Sequence, residues 1–250
     1  MTGHHAAPAR GFTLVEVLVA LAIMALMAAL TWRGIDGMAR AQATTSQSTD
    51  GTLALQAGLT QWRADLDAIV SWPAPVAGNP NSVSAAPMTA QRSLAWDGNT
   101  LRLTRTNAAD PAAGLRVVAW TRQSTAGWWL RWQSAPLTTM QAWASAWNAA
   151  AQWGQEASLS GLDASTGGGA QAVAIVRVSD WRLYYFRNNA WTNPLSSGAE
   201  GASNTAGTNT ATAASLPGGI RLLLTLAPGP GIAGPLTVDW VRPTFTGNGS

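Results

Sequence analysis

The pattern of hydrophobic and polar positions changes once along the chain, from one uninterrupted apolar run to shorter patterned segments. Between Phe12 and Trp32 the run contains a single ionisable side chain, Glu16. A helix of this length spans about 30 Å, which matches the hydrocarbon core of a bilayer. We therefore predict that residues 12–32 form a membrane-spanning helix.

Beyond this run, apolar residues recur at helical spacing, which predicts that the helix continues as an amphipathic segment over residues 33–72. The spacing is set by Leu53, Leu55, Leu59, Trp62, Leu66 and Ile69. Gly34 and Gly37 each weaken a helix interior by up to about 1 kcal/mol, so we expect a soft segment there. Trp72-Pro73 should end the helix, because the residue before a proline is disfavoured in helical conformation.

The remaining residues, 73–250, show the short alternating runs that are typical of β-strands. A first set, expected to form an antiparallel meander, covers residues 93–96, 100–105, 115–122 and 127–133. A second set covers residues 172–178, 181–187, 220–226 and 236–241, with Asp180 as the turn between its first two strands. The predicted fold class is α+β, with a long N-terminal helix packed on antiparallel β-sheets.

Residues 138–154 are ambiguous. Met140, Trp143, Trp147 and Ala151 have helical spacing, but Trp is also common in strands, and we favour a strand or an irregular segment.

Three further stretches predict loops or turns. Residues 73–87 and 195–215 are rich in residues that cannot form a packed core. The glycine run at residues 167–169 predicts a flexible turn and not a phosphate loop, because no Lys-Ser/Thr pair follows it.

Composition excludes several function classes. The chain has no Cys, so it has no disulfide or thiol chemistry. Its net charge is +3, yet only 11% of its residues are charged and its arginines are scattered singly. This pattern does not indicate nucleic-acid binding.

No arrangement of residues predicts catalysis, and we expect neither enzyme activity nor a cofactor. The only histidines, His4 and His5, are adjacent near the N-terminus and are weak evidence for a metal site, so we predict none there. A calcium site built from loop oxygens stays open as an alternative, although no Asp-x-Asp-x-Asp-Gly pattern is present. The isolated carboxylates favour turn and surface roles: Asp50, Asp65, Asp67, Asp97, Asp110, Glu156, Asp163, Asp180, Glu200 and Asp239.

The 14 tryptophans are unusual for a chain of this length. We expect several of them to fill and rim a small two-sheet core: Trp96, Trp120, Trp128, Trp129, Trp132, Trp181 and Trp191. Partner binding through exposed Trp is the second interpretation, and stacking on single-stranded DNA is the third.

Glu16 is the informative residue of the apolar run. A carboxylate in hydrocarbon costs about 2.5–3.5 kcal/mol on insertion scales, so it needs a partner or a route to the interface. Cleavage between Gly11 and Phe12 would place a new amino group about one helical turn away. The amino terminus of a neighbouring copy could serve instead. A secretory signal peptide is disfavoured, since no Ala-x-Ala-like site ends the run.

The sequence Gly11-Phe12-Thr13-Leu14-Val15-Glu16-Val17-Leu18-Val19-Ala20-Leu21 resembles the type IV prepilin cleavage and methylation motif. The resemblance implies that a prepilin peptidase cuts after Gly11 and methylates the amino group of Phe12. It also implies that Glu16 guides assembly into a filament.

Four other stretches are similar to the J-type minor pseudopilins of type II secretion. They are Trp32-Arg33-Gly34-Ile35-Asp36-Gly37-Met38-Ala39-Arg40-Ala41, Trp62-Arg63-Ala64-Asp65-Leu66, the predicted late hairpin beginning with Val178-Ser179-Asp180-Trp181-Arg182-Leu183-Tyr184, and Leu216-Pro217-Gly218-Gly219-Ile220-Arg221-Leu222. This resemblance implies a pilin-like fold. The implied partners are I-type, K-type and H-type minor pseudopilins and the major pseudopilin.

Together these features predict a leader at residues 1–11, a membrane and assembly helix at 12–32, its continuation at 33–72 and a periplasmic β-rich domain at 73–250. The basic leader should stay cytoplasmic, so the protein would cross the inner membrane once. A minor pilin of a type IV pilus or DNA-uptake system is an alternative. A membrane-tethered module that binds a carbohydrate or peptide is another.

Overall fold

A computed structural model of the chain describes residues 11–70, 93–107, 110–159, 172–197, 216–229 and 231–243. It opens with a helix, α1 (Leu14–Asp67), and continues with eight strands and two further helices. The chain divides into two compact units between Thr49 and Asp50, so the last turns of α1 belong to the second unit.

The first unit consists, in its described part, of the start of α1. Hydroxyl groups of Thr31, Thr44, Thr45 and Thr49 each donate to the carbonyl oxygen four residues earlier. The helix is continuous through Gly34 and Gly37, where a soft segment was expected.

The second unit is built on one antiparallel sheet of eight strands. The strands are β1 (Leu94–Trp96), β2 (Thr100–Thr106), β3 (Leu115–Arg122), β4 (Trp128–Gln133), β5 (Ala172–Arg187), β6 (Ala190–Thr192), β7 (Gly219–Leu226) and β8 (Gly234–Val241). Their order is β1-β2-β3-β4-β5-β7-β8, and β6 pairs with β5. The other helices are α2 (Met140–Leu159) and α3 (Pro194–Ser197), and a short 3-10 turn covers Pro111–Ala113. The α+β fold class with a pilin-like layout is confirmed.

The α1 residues from Leu55 onward pack on one face of this sheet. Leu55, Trp62 and Leu66 are buried there, with Leu59 and Ile69 packed against them, as the stripe predicted. Leu53 is the exception because it is exposed. The strands contribute Leu101, Leu103, Val118, Trp120, Trp129, Leu222 and Leu224, among others.

The opposite face of the sheet is covered by α2. The prediction of a strand or irregular segment at residues 138–154 is therefore wrong. The hydroxyl oxygen of Thr139 accepts from the Ala142 N–H at 3.2 Å and caps the start of this helix. Trp143 and Trp147, one turn apart, stack at 5.4 Å, and both are buried. The helical spacing of these residues therefore outweighs the strand preference of Trp, because a helix with this spacing buries its apolar side against the apolar face of the sheet.

The expected turn at Asp180 is also wrong, since β5 runs unbroken through it. Its register shifts between Val178 and Asp180, which marks a β-bulge opposite β7. Because β5 pairs with β4 through its first half and with β7 through its second, it joins the two sets of strands into one sheet. The expected two-sheet core is therefore two apolar layers on either side of a single sheet.

The helix α1 ends at Asp67, five residues before the predicted end at Trp72. The chain turns into a β-bridge between Ile69 and Arg105, and the Val70 N–H donates to the Thr104 carbonyl at 3.0 Å. Pairing with β2 thus replaces helical hydrogen bonds.

Several predicted segments lie outside the described residues: the leader up to Arg10, the loop at 73–87, the glycines at 167–169 and most of the loop at 195–215.

Candidate functional site

The first candidate site is the start of α1. Gly11, Phe12 and Thr13 precede the helix, which begins at Leu14. The Glu16 N–H donates to the Thr13 carbonyl at 3.1 Å and to the Thr13 hydroxyl oxygen at 3.4 Å. Thr13 is therefore the N-cap, and Glu16 occupies the third helical position of a Thr-x-x-Glu capping pattern.

Glu16 is exposed and lies in the first turn of α1. The unpaired N–H groups of that turn favour a negative charge there. The Gly11–Phe12 bond lies in non-helical chain just before the cap.

Around Glu16 the helix is apolar on every side. Phe12 is 84% exposed, and the other large exposed apolar side chains follow continuously: Leu14, Val15, Val17, Leu18, Val19, Leu21, Ile23, Met24, Leu26, Met27 and Leu30. A helix with apolar residues all round needs lipid or other apolar helices around it. By length and composition α1 can cross a membrane, and it fits a single-pass anchor.

The comparison with known families matches this segment. Residues 7–32 fit the family described as the prokaryotic N-terminal methylation motif. The chain carries a prepilin-like N-terminal signal. The motif implies processing by a prepilin peptidase and assembly with other pilin-like subunits, and it supports the class of type IV pilins and pseudopilins, whose role is structural. No curated protein matches the chain significantly.

The second candidate site is a buried ion cluster at the end of α1, centred on Asp65, whose side chain is 0% exposed. Arg131 of β4 donates to it through two nitrogens, Nε to Oδ2 at 2.8 Å and Nη2 to Oδ1 at 2.9 Å. Arg105 of β2 pairs with Oδ1, and the Trp120 indole of β3 donates to Oδ2 at 3.0 Å. Gln61, one turn earlier on α1, donates to Oδ1 at 2.8 Å. One carboxylate thus ties the helix to three adjacent strands.

A neighbouring carboxylate makes a separate link. The indole N–H of Trp240, in β8, donates to Asp67 at 2.8 Å. Asp65 and Asp67 therefore bind different strands, in agreement with the expectation that residues two apart on a helix point to different faces.

The expectation that the carboxylates serve in turns and on the surface is right for Asp97 and Asp110, which accept backbone N–H groups in turns. It is wrong for Asp65. A signal was available, because Asp65 lies three residues after Trp62 and directly before Leu66, within the apolar stripe. A carboxylate on a buried helix face requires a cationic partner. The partners lie 40 and 66 residues away, so the sequence could not identify them.

The stretches that resemble J-type pseudopilins lie in four different places. The stretch at residues 32–41 is exposed on α1, whereas that at 62–66 contributes three of the buried residues of the joint between α1 and the sheet. The stretch beginning at Val178 lies within β5, and the one at 216–222 leads into β7. The structure does not gather these stretches into one site.

The tryptophans divide between core and surface. Trp62, Trp120 and Trp129 form one fully buried cluster, with ring centroids 4.5–6.0 Å apart. Trp132 and Trp181 are also buried, while Trp96, Trp128 and Trp191 are half-buried.

Trp191 lies under the guanidinium of Arg221, with the guanidinium carbon 4.3 Å from the ring centroid, and Arg221 also forms two hydrogen bonds of 2.7 Å with Asp239. The hydrogen bonds from Arg221 lower the pKa of Asp239. This pair therefore links β7 and β8 at the surface of the sheet.

Metal chemistry finds no support in the described part of the chain. It contains no group of three or more His, Cys, Asp or Glu side chains placed to hold a metal ion. His4 and His5 lie outside the described residues.

Proposed function

We propose that this protein is a J-type minor pseudopilin of a type II secretion system, which assembles with other minor pseudopilins at the pseudopilus tip. The observation that carries the assembly role is one carboxylate, Glu16, in an otherwise apolar helix that fits the N-terminal methylation motif. The secretion role and the J type rest on the resemblance of residues 32–41, 62–66, 178–184 and 216–222 to that family.

In this proposal a prepilin peptidase cuts between Gly11 and Phe12 and methylates the Phe12 amino group. Glu16 then pairs with an amino terminus in the assembling filament, which removes the cost of an unpaired carboxylate in hydrocarbon. The apolar surface of α1 packs among the helices of neighbouring subunits. The protein has no enzyme activity of its own and acts through contacts.

The proposed location is the inner membrane, crossed once, with the β-rich unit in the periplasm. Arg10 and the leader stay on the cytoplasmic side, following the positive-inside tendency. The proposed partners are I-type, K-type and H-type minor pseudopilins, the major pseudopilin, the prepilin peptidase and membrane lipid.

The test is an affinity pull-down from native membranes after crosslinking, with the partners identified by mass spectrometry. A tagged single-pass protein of the same membrane is the control for non-specific recovery. We expect enrichment of other pseudopilins and of secretion-platform proteins. Recovery of pilus subunits or of a DNA receptor would instead assign the protein to a pilus or DNA-uptake system. Recovery of no filament subunit, with glycan binding by the protein, would favour a tethered binding module.

Processing has its own test. Intact mass measurement of the membrane form should show a chain that begins at Phe12 and carries one added methyl group. A Gly11→Val variant should keep its leader, whereas a Gly3→Ala variant, changed within the leader, should be processed normally. A native chain that retains residues 1–11 would contradict the proposed cleavage site.

A further inference from the structure

The sheet face that α1 covers contains two buried arginines, Arg105 and Arg131, whose side chains are each 10% exposed. In the described part of the chain, Asp65 is the only carboxylate that pairs with either of them. Their remaining donors bind uncharged groups: Arg131 donates to the Gln133 side chain at 2.9 Å and Arg105 to the Thr106 carbonyl at 3.0 Å. Two cations and one anion therefore lie in what is otherwise an apolar and aromatic layer.

This arrangement is a poor way to gain stability alone. Burying ions costs several kcal/mol each, and well-packed apolar replacements of buried ion pairs are often as stable as the pair. Buried charges instead determine which helix can pack on the sheet, because an apolar helix would leave the arginines buried and unpaired.

The chain contains a second helical segment that could pack on the same sheet face, the apolar first part of α1. The α1 residues before Thr31 are more hydrophobic than those after Thr49, and their large apolar side chains are exposed. A purely apolar sheet face would gain more transfer free energy from such a segment than from residues 50–67.

We propose that Arg105 and Arg131 make the sheet face selective for the Asp65-bearing segment of α1 and exclude apolar membrane-type helices, those of other copies included. Asp65 is the matching positioning residue. An apolar helix on this face would leave two cations without an anion, whereas residues 61–66 supply the carboxylate and an additional donor, Gln61. Selection of residues 50–67 by the sheet of the second unit requires no role in secretion.

The first test measures unfolding of the full chain in detergent micelles by guanidinium titration, followed by Trp fluorescence. Asp65→Leu presents an uncharged helix to the unchanged sheet, and we expect its unfolding constant to rise roughly 100-fold or more. Adding Arg105→Met and Arg131→Leu to this change should restore most of the loss. Asp36→Leu is the control, since it removes an exposed pair with Arg40 and should change the constant by no more than about fivefold.

The second test asks which helix is bound, and the absence of Cys makes introduced pairs unambiguous. Native docking is reported by a disulfide between Gly58→Cys and Ile175→Cys, two positions in contact. Foreign docking is reported by a disulfide between Ile175→Cys in one copy and Leu26→Cys in another. The unchanged cluster should give only the first crosslink, and the apolar triple variant should give both.

Two results would overturn the proposal: native stability of Asp65→Leu, or exclusive native crosslinking in the apolar triple variant. Should that variant fail to fold, an uncharged polar set replaces it, Asp65→Asn with Arg105→Gln and Arg131→Gln, read by the same two crosslinks. Exclusive native crosslinking there would equally contradict selection by charge.

Discussion

Asp65 and Arg131 face each other as a two-point pair, with Nε donating to Oδ2 at 2.8 Å and Nη2 to Oδ1 at 2.9 Å. The planar fork of Arg131 meets both oxygens of a fully buried carboxylate, and arginine is the one residue type whose side chain offers this donor geometry. This pair holds the last turns of α1 on β4.

Replacing the fork by a single ammonium should therefore weaken the fold although the charge is kept. We expect Arg131→Lys to lower the free energy of unfolding by about 1–3 kcal/mol, because one charge-assisted hydrogen bond to Asp65 is lost. The measurement is denaturant unfolding of the full chain in detergent. Arg182→Lys, in the exposed pair with Asp180, should change stability by no more than about 0.5 kcal/mol. Equal effects of the two variants would contradict the special role of the fork.

Gly58 marks the closest approach of α1 to the sheet. A methyl group at this position would overlap the Ile175 side chain of β5. We expect Gly58→Ala to destabilise the fold by about 1–3 kcal/mol, and Ile175→Ala in addition to relieve the overlap. The matched control is Gly51→Ala, two turns earlier on the same helix, where nothing lies within 4 Å.

At Gly51 alanine should stabilise the helix by up to about 1 kcal/mol, since only helix propensity changes. The two substitutions thus have opposite predicted signs. A stabilising Gly58→Ala would show that this part of α1 does not lie against β5.

The Arg221–Asp239 pair predicts a pH dependence on the acid side. Hydrogen bonds from Arg221 hold the pKa of Asp239 below its ordinary value of 3.8. A carboxylate with a lowered folded pKa contributes stability that is complete above 3.8 and is lost as the pH falls through the folded value. Melting temperatures followed from neutral pH to about pH 2 should therefore fall more steeply for the native chain than for Asp239→Asn.

The effect should be small, because the pair is partly exposed, and salt should reduce it further. Parallel pH profiles for the two proteins would contradict the assignment.

The sequence predicted those features that depend on neighbours along the chain. Alternation located β2, β3 and β4 to within one residue, and the apolar stripe identified Leu55, Trp62 and Leu66 as the buried face of α1. Features that depend on distant partners were missed. Residues 140–159 are helical because their apolar side packs on the sheet. The strand β5 continues through Asp180 because it pairs there with β7.

The two candidate sites also differ in whether their residues are neighbours along the chain or come from distant segments. Gly11, Phe12 and Glu16 form a local motif, which can be identified without a structure. The Asp65 cluster joins residues from four separate segments, so only the fold could bring it together.

Glu16 has two possible roles that the geometry makes separable. As the third residue of a helix capped by Thr13, it contributes to the start of α1. As a carboxylate in the apolar run, it would guide assembly. Thr13→Val removes the side-chain cap, at a cost of about 1 kcal/mol, and leaves the carboxylate in place. Glu16→Val removes the carboxylate and keeps the Thr13 hydroxyl.

The two roles are therefore separated by incorporation of these two variants into crosslinked complexes with other pilin-like subunits, scored beside their insertion into the membrane. We expect that both variants insert, that Thr13→Val is incorporated like the native chain and that Glu16→Val is not. Normal incorporation of Glu16→Val would contradict assembly through this carboxylate. Equal loss in both variants would reduce Glu16 to a capping residue.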